Sequence, residues 1–199
     1  HGRTLASAVD ALPRIAANGV RFVSLMGGLT RNYAANPHDV IHRLAEKTGA
    51  SAYVMPIPFF ANTAADREVF LAQRGVSQVI DLAARSDLML VGIGTANPGA
   101  QLVASHMIDV AEIGEVQERG GAGEVLGHFF DRDGQLVETS LSARTVSLDI
   151  RALGKRRIVA IAGGEEKLNA MAAVLRSGTI SGLITDEATA AALADGRIG

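Results

Sequence analysis

Short apolar runs alternate with amphipathic helical patterns along most of this chain, and this rhythm constrains the fold more than any other feature. Five runs are predicted to be strands: Arg21–Gly27, Ala52–Met55, Leu88–Gly92, Arg157–Ala162 and Gly182–Thr185. Strands joined by crossover helices pair in parallel, because each helix returns the chain to the same end of the sheet. The pattern therefore predicts an α/β fold with a mostly parallel sheet.

Local start and stop signals support the helices between these strands. Three helices are predicted: Asn36–Thr48, Glu165–Arg176 and Asp186–Leu193. Asn36 is a favourable cap for the first helix, and Gly49 follows its last turn. Gly178 and Gly196 follow the other two helices in the same way. These signals place helix ends where the alternating pattern requires them.

The middle of the chain departs from the alternating pattern. Val125–Asp131 is predicted to be a strand that enters an Asp133-Gly134 turn, with Gln135–Thr139 as an antiparallel return. This small hairpin insertion is expected to cover one side of a cleft. The polar, glycine-rich stretch Gly114–Gly123 is predicted to be a mobile loop before it.

Composition bounds the classes of function. With 199 residues, of which 48% are hydrophobic, the chain can form one domain over residues 1–199. A net charge of −2 without a basic stripe argues against direct nucleic-acid contact by these residues. The absence of cysteine excludes disulfides, thiolate nucleophiles and cysteine-ligated zinc. No apolar run approaches the roughly 20 residues that cross a bilayer, so a cytoplasmic protein is expected.

Glycines follow three of the predicted strands, at Gly27-Gly28, Gly92-Ile93-Gly94 and Gly163-Gly164. They suit tight turns, and they equally suit an anion pocket in which a phosphate reaches backbone N–H groups. Thr30 and Arg31 would complete such a pocket after the first pair. Carboxyl ends of parallel strands share one edge, so the three turns are expected to surround a common crevice.

Lys167 gives a separate reason to expect an anion. It falls in the first turn predicted after Gly163-Gly164, where a cation opposes the helix dipole at a cost of roughly 0.3–1 kcal/mol. A bound phosphate would compensate for this cost. Neutralisation by Glu165 or Glu166 explains the same position without any ligand.

Other ligand classes lack the context that they need. The Gly121–Gly127 string is not placed between a strand and a helix, as a dinucleotide-binding loop requires. His38 and His42 are spaced for a metal, but no third ligand is placed, and no metal site or cofactor is predicted. Glu124 and Asp186 remain candidates to accept hydrogen bonds from sugar hydroxyls. Asp186 competes with Thr185 as a helix cap.

Taken in order, several of these stretches resemble one known family. They are Gly27-Gly28, Met55-Pro56-Ile57-Pro58, Gly92-Ile93-Gly94, Gly121–Asp131, Arg144 with Ser147-Leu148, Ala162–Lys167 and Leu183–Ala190. Their order and spacing resemble the sugar-binding domain of SorC-type bacterial transcriptional regulators over nearly the whole chain.

The resemblance implies a Rossmann-like three-layer α/β/α sandwich, similar to sugar-phosphate isomerases and deaminases. Such a domain binds a phosphorylated sugar effector and does not turn it over, so no catalytic residue is expected. An N-terminal helix-turn-helix, absent from the residues given, would bind operator DNA. A homodimer or homotetramer is also expected from the resemblance.

The resemblance also assigns residues. Phosphate-binding features match Gly27, Gly28 and Thr30, together with Lys167 after Gly163-Gly164. Sugar-hydroxyl contacts match Glu124 and Asp186. The full predicted effector site is Gly27, Gly28, Thr30, Gly92, Gly94, Gly123, Glu124, Gly163, Gly164, Lys167 and Asp186. The Gly114–Gly123 loop is expected to couple this site to the DNA-binding part.

Two rival functions remain open. An enzyme of the isomerase or deaminase type would need an acid–base pair, for which Glu124 and His128 are candidates. A strand is expected to put these two side chains on one face without a defined substrate geometry. The second rival is a domain that has lost its ligand and serves only in assembly.

Overall fold

The computed structural model describes residues 2–30, 40–154 and 156–196. Internal contacts divide the chain into two compact units. Unit 1 comprises residues 1–86 and 144–148, and unit 2 comprises residues 87–143 and 149–199. The two units are described in turn, and a single domain over residues 1–199 stays a prediction.

The described residues of unit 1 form four α-helices and two strands. They are α1 (Arg3–Ala11), β1 (Arg21–Val23), α2 (Ile41–Thr48), β2 (Ser51–Tyr53), α3 (Ala64–Ala72) and α4 (Arg74–Ala84). Strands β1 and β2 pair in parallel, as predicted, with Phe22 opposite Ala52. Helix α2 ends at Gly49, whose φ of 68° confirms the predicted C-terminal signal. The predicted cap Asn36 lies outside the described residues.

Residues 144–148, which belong to unit 1 although they follow part of unit 2 in the chain, complete the core of unit 1. Thr145 and Ser147 form isolated antiparallel bridges with Phe60 and Met26. Phe59 and Phe60 lie with their ring centroids 4.3 Å apart. Both rings are buried, as are Met55 and Val146, so this returning segment closes an apolar interior.

The described residues of unit 2 form the remaining α-helices and strands. They are β3 (Met89–Val91), β4 (Gly94–Thr95), α5 (Gln101–Ala104), α6 (Val110–Glu118), β5 (Gly121–Val125), β6 (His128–Asp131), β7 (Leu136–Val137), β8 (Ile158–Ile161), α7 (Leu168–Arg176), β9 (Gly182–Ile184) and α8 (Glu187–Ala194). Strands β3, β8 and β9 form a parallel sheet in that order. The five strands predicted in the alternating pattern are therefore all present, although each is shorter than predicted and they lie in two sheets.

A four-stranded antiparallel sheet, in the order β4-β5-β6-β7, occupies the middle of the chain. The predicted strand Val125–Asp131 is wrong in one respect, because it is broken at Leu126 and Gly127. Their φ values of 53° and 77° reverse the chain between β5 and β6. The predicted return after Asp133-Gly134 is confirmed, since Phe130 pairs with Leu136 of β7.

The predicted mobile loop Gly114–Gly123 is wrong. Helix α6 runs through Gly114 to Glu118, and β5 begins at Gly121. A capping box starts this helix, in which the Asp109 N–H donates to Glu112 Oε2 at 2.8 Å. The stretch is regular structure, so the idea that it couples the site to a DNA-binding part no longer has a basis.

The last two predicted helices are confirmed. A 3-10 turn over Glu165–Lys167 leads directly into α7, and α8 follows its cap Asp186. Gly178 and Gly196 adopt φ values of 68° and 66° after these helices. Among the helices of the described ranges, none combines the length and apolar character that crossing a membrane requires.

Candidate functional site

The carboxyl ends of β3 and β8 share one edge of the parallel sheet in unit 2. Gly92 and Gly94 follow β3, and Gly163-Gly164 follow β8, so two of the three predicted glycine turns lie at this edge. Asp186 follows β9 at the same edge. Gly27-Gly28 follow β1, in the sheet of unit 1. Ligands of open α/β sheets bind at such carboxyl edges.

In unit 1, the glycine pair is packed against the backbone. Gly27 donates its N–H to the Val146 carbonyl at 2.9 Å, and Gly28 donates to the Met55 carbonyl at 3.2 Å. A Cβ atom on Gly27 would overlap the Pro58 carbonyl. Close backbone packing therefore accounts for this pair, since both amides already have partners.

Thr30 is buried at the end of the described part of this loop, with 7% of its surface exposed. Arg31 and Asn32 lie outside the described residues. A contact of Gly27, Gly28 or Thr30 with a phosphate stays a prediction.

In unit 2, Glu124 of β5 is a buried carboxylate beside β4, the short strand that follows β3. It lies opposite Gly94 in the register of β4 and β5, and a Cβ atom on Gly94 would overlap its Oε2. Its Oε1 accepts the N–H of Gly127 at 2.5 Å. Gly94 thus leaves the space that this carboxylate occupies.

Burial raises the pKa of Glu124, because its charged form loses hydration. The hydrogen bond from Gly127 and the positive charge of Lys167 act against this rise. Glu124 and Lys167 therefore interact electrostatically across the edge of unit 2. A cation and a buried carboxylate suit a ligand that carries both an anionic group and hydroxyls.

The turn after β8 brings Lys167 to this edge. Gly164 adopts φ 107°, which L residues with a side chain rarely adopt. Its N–H donates to Thr189 Oγ1 at 3.0 Å, and its carbonyl accepts the N–H of Lys167 at 3.0 Å. Lys167 is half-buried at the end of the 3-10 turn Glu165–Lys167, directly before α7, so the predicted first turn of this helix is a 3-10 turn.

Asp186 is the cap of α8, and Thr185 is not. Asp186 Oδ1 accepts the Thr189 N–H at 2.9 Å, and its Oδ2 accepts the Thr189 hydroxyl at 2.7 Å. These hydrogen bonds from Thr189 lower the pKa of Asp186. A Cβ atom on Gly163 would lie 2.5 Å from Asp186 Oδ2, so Gly163 leaves room for the cap. A ligand contact of Asp186 stays a prediction.

Thr189 is a residue that sequence reasoning missed. Its hydroxyl accepts from Gly164 and donates to Asp186, which joins the ends of β8 and β9. The position three residues after a capping Asp was the available signal, because a side chain there lies beside the cap.

Gly123 is closely packed against another element, whereas Gly92 is half-buried at the end of a strand. A Cβ atom on Gly123 would lie 2.5 Å from the Ala170 carbonyl, so this glycine lets α7 pack directly on β5. Gly92 is half-buried directly after β3. Both remain predicted site residues, and Gly123 has a packing role in addition.

The expected acid–base pair is not on one face. Glu124 pairs with Phe129 and Val125 pairs with His128, so Glu124 and His128 lie on neighbouring strands with opposite orientations. The expectation that they share a face of one strand is wrong, because the turn at Leu126-Gly127 separates them. Within the described ranges, no three His, Cys, Asp or Glu residues are grouped as metal ligands. His38 lies outside those ranges.

Comparison with known proteins identifies a sugar-binding domain family and several transcriptional regulators as relatives. A family model described as "Putative sugar-binding domain" matches residues 1–194. The chain is 60% identical over 193 residues to the erythritol catabolism regulatory protein EryD of Brucella abortus (strain 2308), covering 97% of this chain and 61% of that protein. It is 31% identical over 183 residues to the transcriptional regulator LsrR of Escherichia coli O9:H4 (strain HS), covering 90% and 56%. The chain thus spans about three fifths of the length of such relatives.

Two solved structures share the fold. One is a domain of a possible sugar-binding transcriptional regulator from Arthrobacter aurescens TC1, with a TM-score of 0.86 and 25% identity over 97% of this chain and 75% of that one. The other is the full-length sorbitol operon regulator SorC from Klebsiella pneumoniae, with a TM-score of 0.82 and 27% identity over 96% and 64%.

Proposed function

Because this chain belongs to the family of sugar-binding domains found in SorC-type transcriptional regulators, we propose that it binds the effector of a sugar-responsive regulator. The effector is a small phosphorylated sugar or polyol. The relative named for erythritol catabolism, at 60% identity, supports a four-carbon polyol derivative. The named relatives are regulators, and the proposed domain likewise binds its ligand without turnover.

One observation carries the ligand class: buried Glu124 and half-buried Lys167 both lie at the carboxyl edge of the parallel sheet in unit 2. A carboxylate offers about four acceptor positions, which suits adjacent hydroxyls of a polyol. A lysine ammonium supplies a point charge for a phosphate. Gly94 and Gly163 leave the space that the Glu124 and Asp186 carboxylates occupy at the same edge.

The regulatory consequence follows from linkage. An effector that binds one arrangement of the regulator more tightly than another shifts their populations by no more than that difference in affinity. In this proposal the regulator is a cytoplasmic homodimer or homotetramer, and an N-terminal helix-turn-helix outside this chain holds the operator DNA. The effector domain then modulates that DNA binding.

The first test is a thermal-shift screen with four-carbon polyols, other sugars and their phosphate esters. A ligand that binds only the folded state raises the apparent stability. We expect a phosphate ester to raise the melting temperature of the wild type and not that of Lys167→Ala. Arg14→Ala, which removes a cation exposed on unit 1, is the matched control and keeps the full shift.

Three results would contradict parts of this proposal. A shift with free polyols alone, retained in Lys167→Ala, would remove the phosphate from the assignment. Product formation from any bound ester would favour an enzyme. The absence of a shift with every compound would favour a domain that serves only in assembly.

A further inference from the structure

The turn between β5 and β6 contains a strained residue. Leu126 and Gly127 form a two-residue turn, and Val125 and His128 are the registered pair that closes it. The φ values of the two turn residues are 53° and 77°, which is the conformation that joins tightly paired strands. Glycine and asparagine favour this conformation, whereas leucine is strained in it. Such strain persists only where the surrounding structure holds it in place.

Two contacts hold this turn. Leu126 is only 7% exposed, so the burial of its side chain offsets the strain in its backbone. The N–H of Gly127 donates to Glu124 Oε1 at 2.5 Å. The N–H groups of a two-residue turn have no partner in the strand ladder, because the ladder resumes at the next residue. The turn therefore directs a backbone donor at the buried carboxylate.

The two carboxylate oxygens of Glu124 differ in their surroundings. Oε1 accepts from Gly127, whereas Oε2 accepts no hydrogen bond from any residue that the structure describes. Oε2 lies beside Gly94, in the space that a Cβ atom would fill. Glu124 is itself only 9% exposed, and a buried acceptor without a donor is costly. Oε2 thus has acceptor capacity that the protein itself does not use.

A second contact fixes Glu124 relative to Lys167. A Cβ atom on Gly123, the neighbour of Glu124 in β5, would lie 2.5 Å from the Ala170 carbonyl of α7. The backbones of β5 and α7 therefore meet directly, three residues after Lys167. A carboxylate and a cation that are held in this way lose little freedom when a ligand binds.

We propose that the Leu126-Gly127 turn positions Glu124 in the effector site, so that Oε1 stays bonded to the turn and Oε2 accepts the hydroxyls of the ligand. This inference rests on the proposed function, because it takes the ligand to be a polyol derivative bound at this edge. Leu126 and Gly127 are positioning residues, since they act through Glu124.

The first test follows the Gly127 amide proton by NMR in the full chain. Without ligand, this proton should move downfield as Glu124 ionises, because a hydrogen bond to a charged acceptor is shorter. Glu124→Gln is the control and should abolish this dependence on pH. When erythritol phosphate is added as the probe, the proton should keep its downfield position, since the ligand takes Oε2.

The second test removes only the donor. Replacement of Gly127 by glycolic acid converts its amide into an ester, which keeps the backbone shape and lacks the N–H. We expect the affinity for erythritol phosphate, measured by calorimetry, to fall at least about tenfold. The matched control is the same replacement at Gly134, whose N–H donates to the Asp131 carbonyl at 3.0 Å in the other hairpin turn. That ester should keep the affinity of the wild type.

Three results would overturn the proposal. Without ligand, a Gly127 proton that does not respond to the ionisation of Glu124 would mean that the turn does not hold the carboxylate. An upfield shift of this proton on binding would mean that the ligand takes Oε1. An unchanged affinity in the Gly127 ester would mean that the turn does not position Glu124 for the ligand.

Failure of the proposed function would be recognised separately. A wild type that binds neither erythritol phosphate nor any other phosphate ester would contradict the effector site, and with it the place of the ligand on Oε2. The response of the Gly127 proton to pH in the ligand-free chain does not depend on that outcome.

Discussion

Two Gly-Gly pairs follow strands in this chain, and they serve different purposes. At Gly27-Gly28 both amides donate to backbone carbonyls, and Gly27 lies against the Pro58 carbonyl. At Gly163-Gly164 the neighbour is the Asp186 side chain, and Gly164 turns the chain towards Lys167. The comparison teaches that a glycine pair after a strand does not by itself identify a ligand pocket. The atoms that a side chain would displace distinguish the two uses.

The largest effect that tests this contrast is on stability. Gly27→Ala should lower the free energy of unfolding by about 3 kcal/mol, because its Cβ atom meets rigid backbone. Gly163→Ala should cost about 1 kcal/mol or less, since the Asp186 carboxylate can move aside. Chemical denaturation of both variants measures the difference.

Gly114→Ala is the control for the substitution itself. Gly114 lies inside α6 with no atom within 4 Å of a Cβ position, so alanine should stabilise the chain by about 0.5–1 kcal/mol. If Gly163→Ala proved as damaging as Gly27→Ala, the contrast between a packed pair and an edge pair would be lost.

The second prediction concerns the pH dependence of stability, which Glu124 at the edge of unit 2 should cause. The pKa of Glu124 is raised by burial, so the wild type should lose stability as pH rises from the ordinary value of 4.5 through the folded pKa. Glu124→Gln keeps an acceptor for the Gly127 N–H and should lack this loss. Its stability relative to wild type should therefore increase across that pH range, as measured by thermal unfolding.

Lys167→Met sharpens the same measurement. Removing the positive charge that lowers the pKa of Glu124 should move the pH-dependent loss of stability to higher pH. An unchanged pH profile in Lys167→Met would show that the two side chains do not interact.

The smallest expected effect concerns Asp186, the cap of α8 that lies beside Gly163-Gly164. Asp186→Ala removes both hydrogen bonds from Thr189 and should lower the melting temperature, whereas Asp186→Asn retains an acceptor and should lower it less. Thermal unfolding of both variants in the absence of ligand measures this role. Equal losses would mean that the negative charge, rather than the cap geometry, stabilises α8.

Local signals predicted the parallel strands and the helices α2, α7 and α8, but not α1 or α3 to α6. Gly49 ends α2 and Asp186 caps α8, since each acts through the backbone next to it. Predictions from local composition were wrong where the surrounding structure determines the backbone conformation. Gly114 suggested a loop, but it is accommodated in a helix that begins with the Asp109 capping box. Leu126 gave no turn signal, because leucine seldom adopts positive φ.

The candidate site was predictable in part. Gly94, Gly163 and Gly164 lie at the carboxyl edge of unit 2, as the strand pattern indicated, and Glu124 lies opposite Gly94 there. The burial of Glu124 and the contribution of Thr189 depend on tertiary register, which the spacing of residues does not reveal. The tight contact of Gly27 with Pro58 depends on a neighbour 31 positions away, so no local pattern could indicate it.

The Thr189 hydroxyl has a consequence for dynamics. The Gly164 N–H is held by this hydroxyl, which is itself held by the cap of α8. Deuterium can replace that amide proton only when the start of α8 and the turn after β8 separate. The hydrogen-exchange rate of the Gly164 amide therefore reports how often this edge opens.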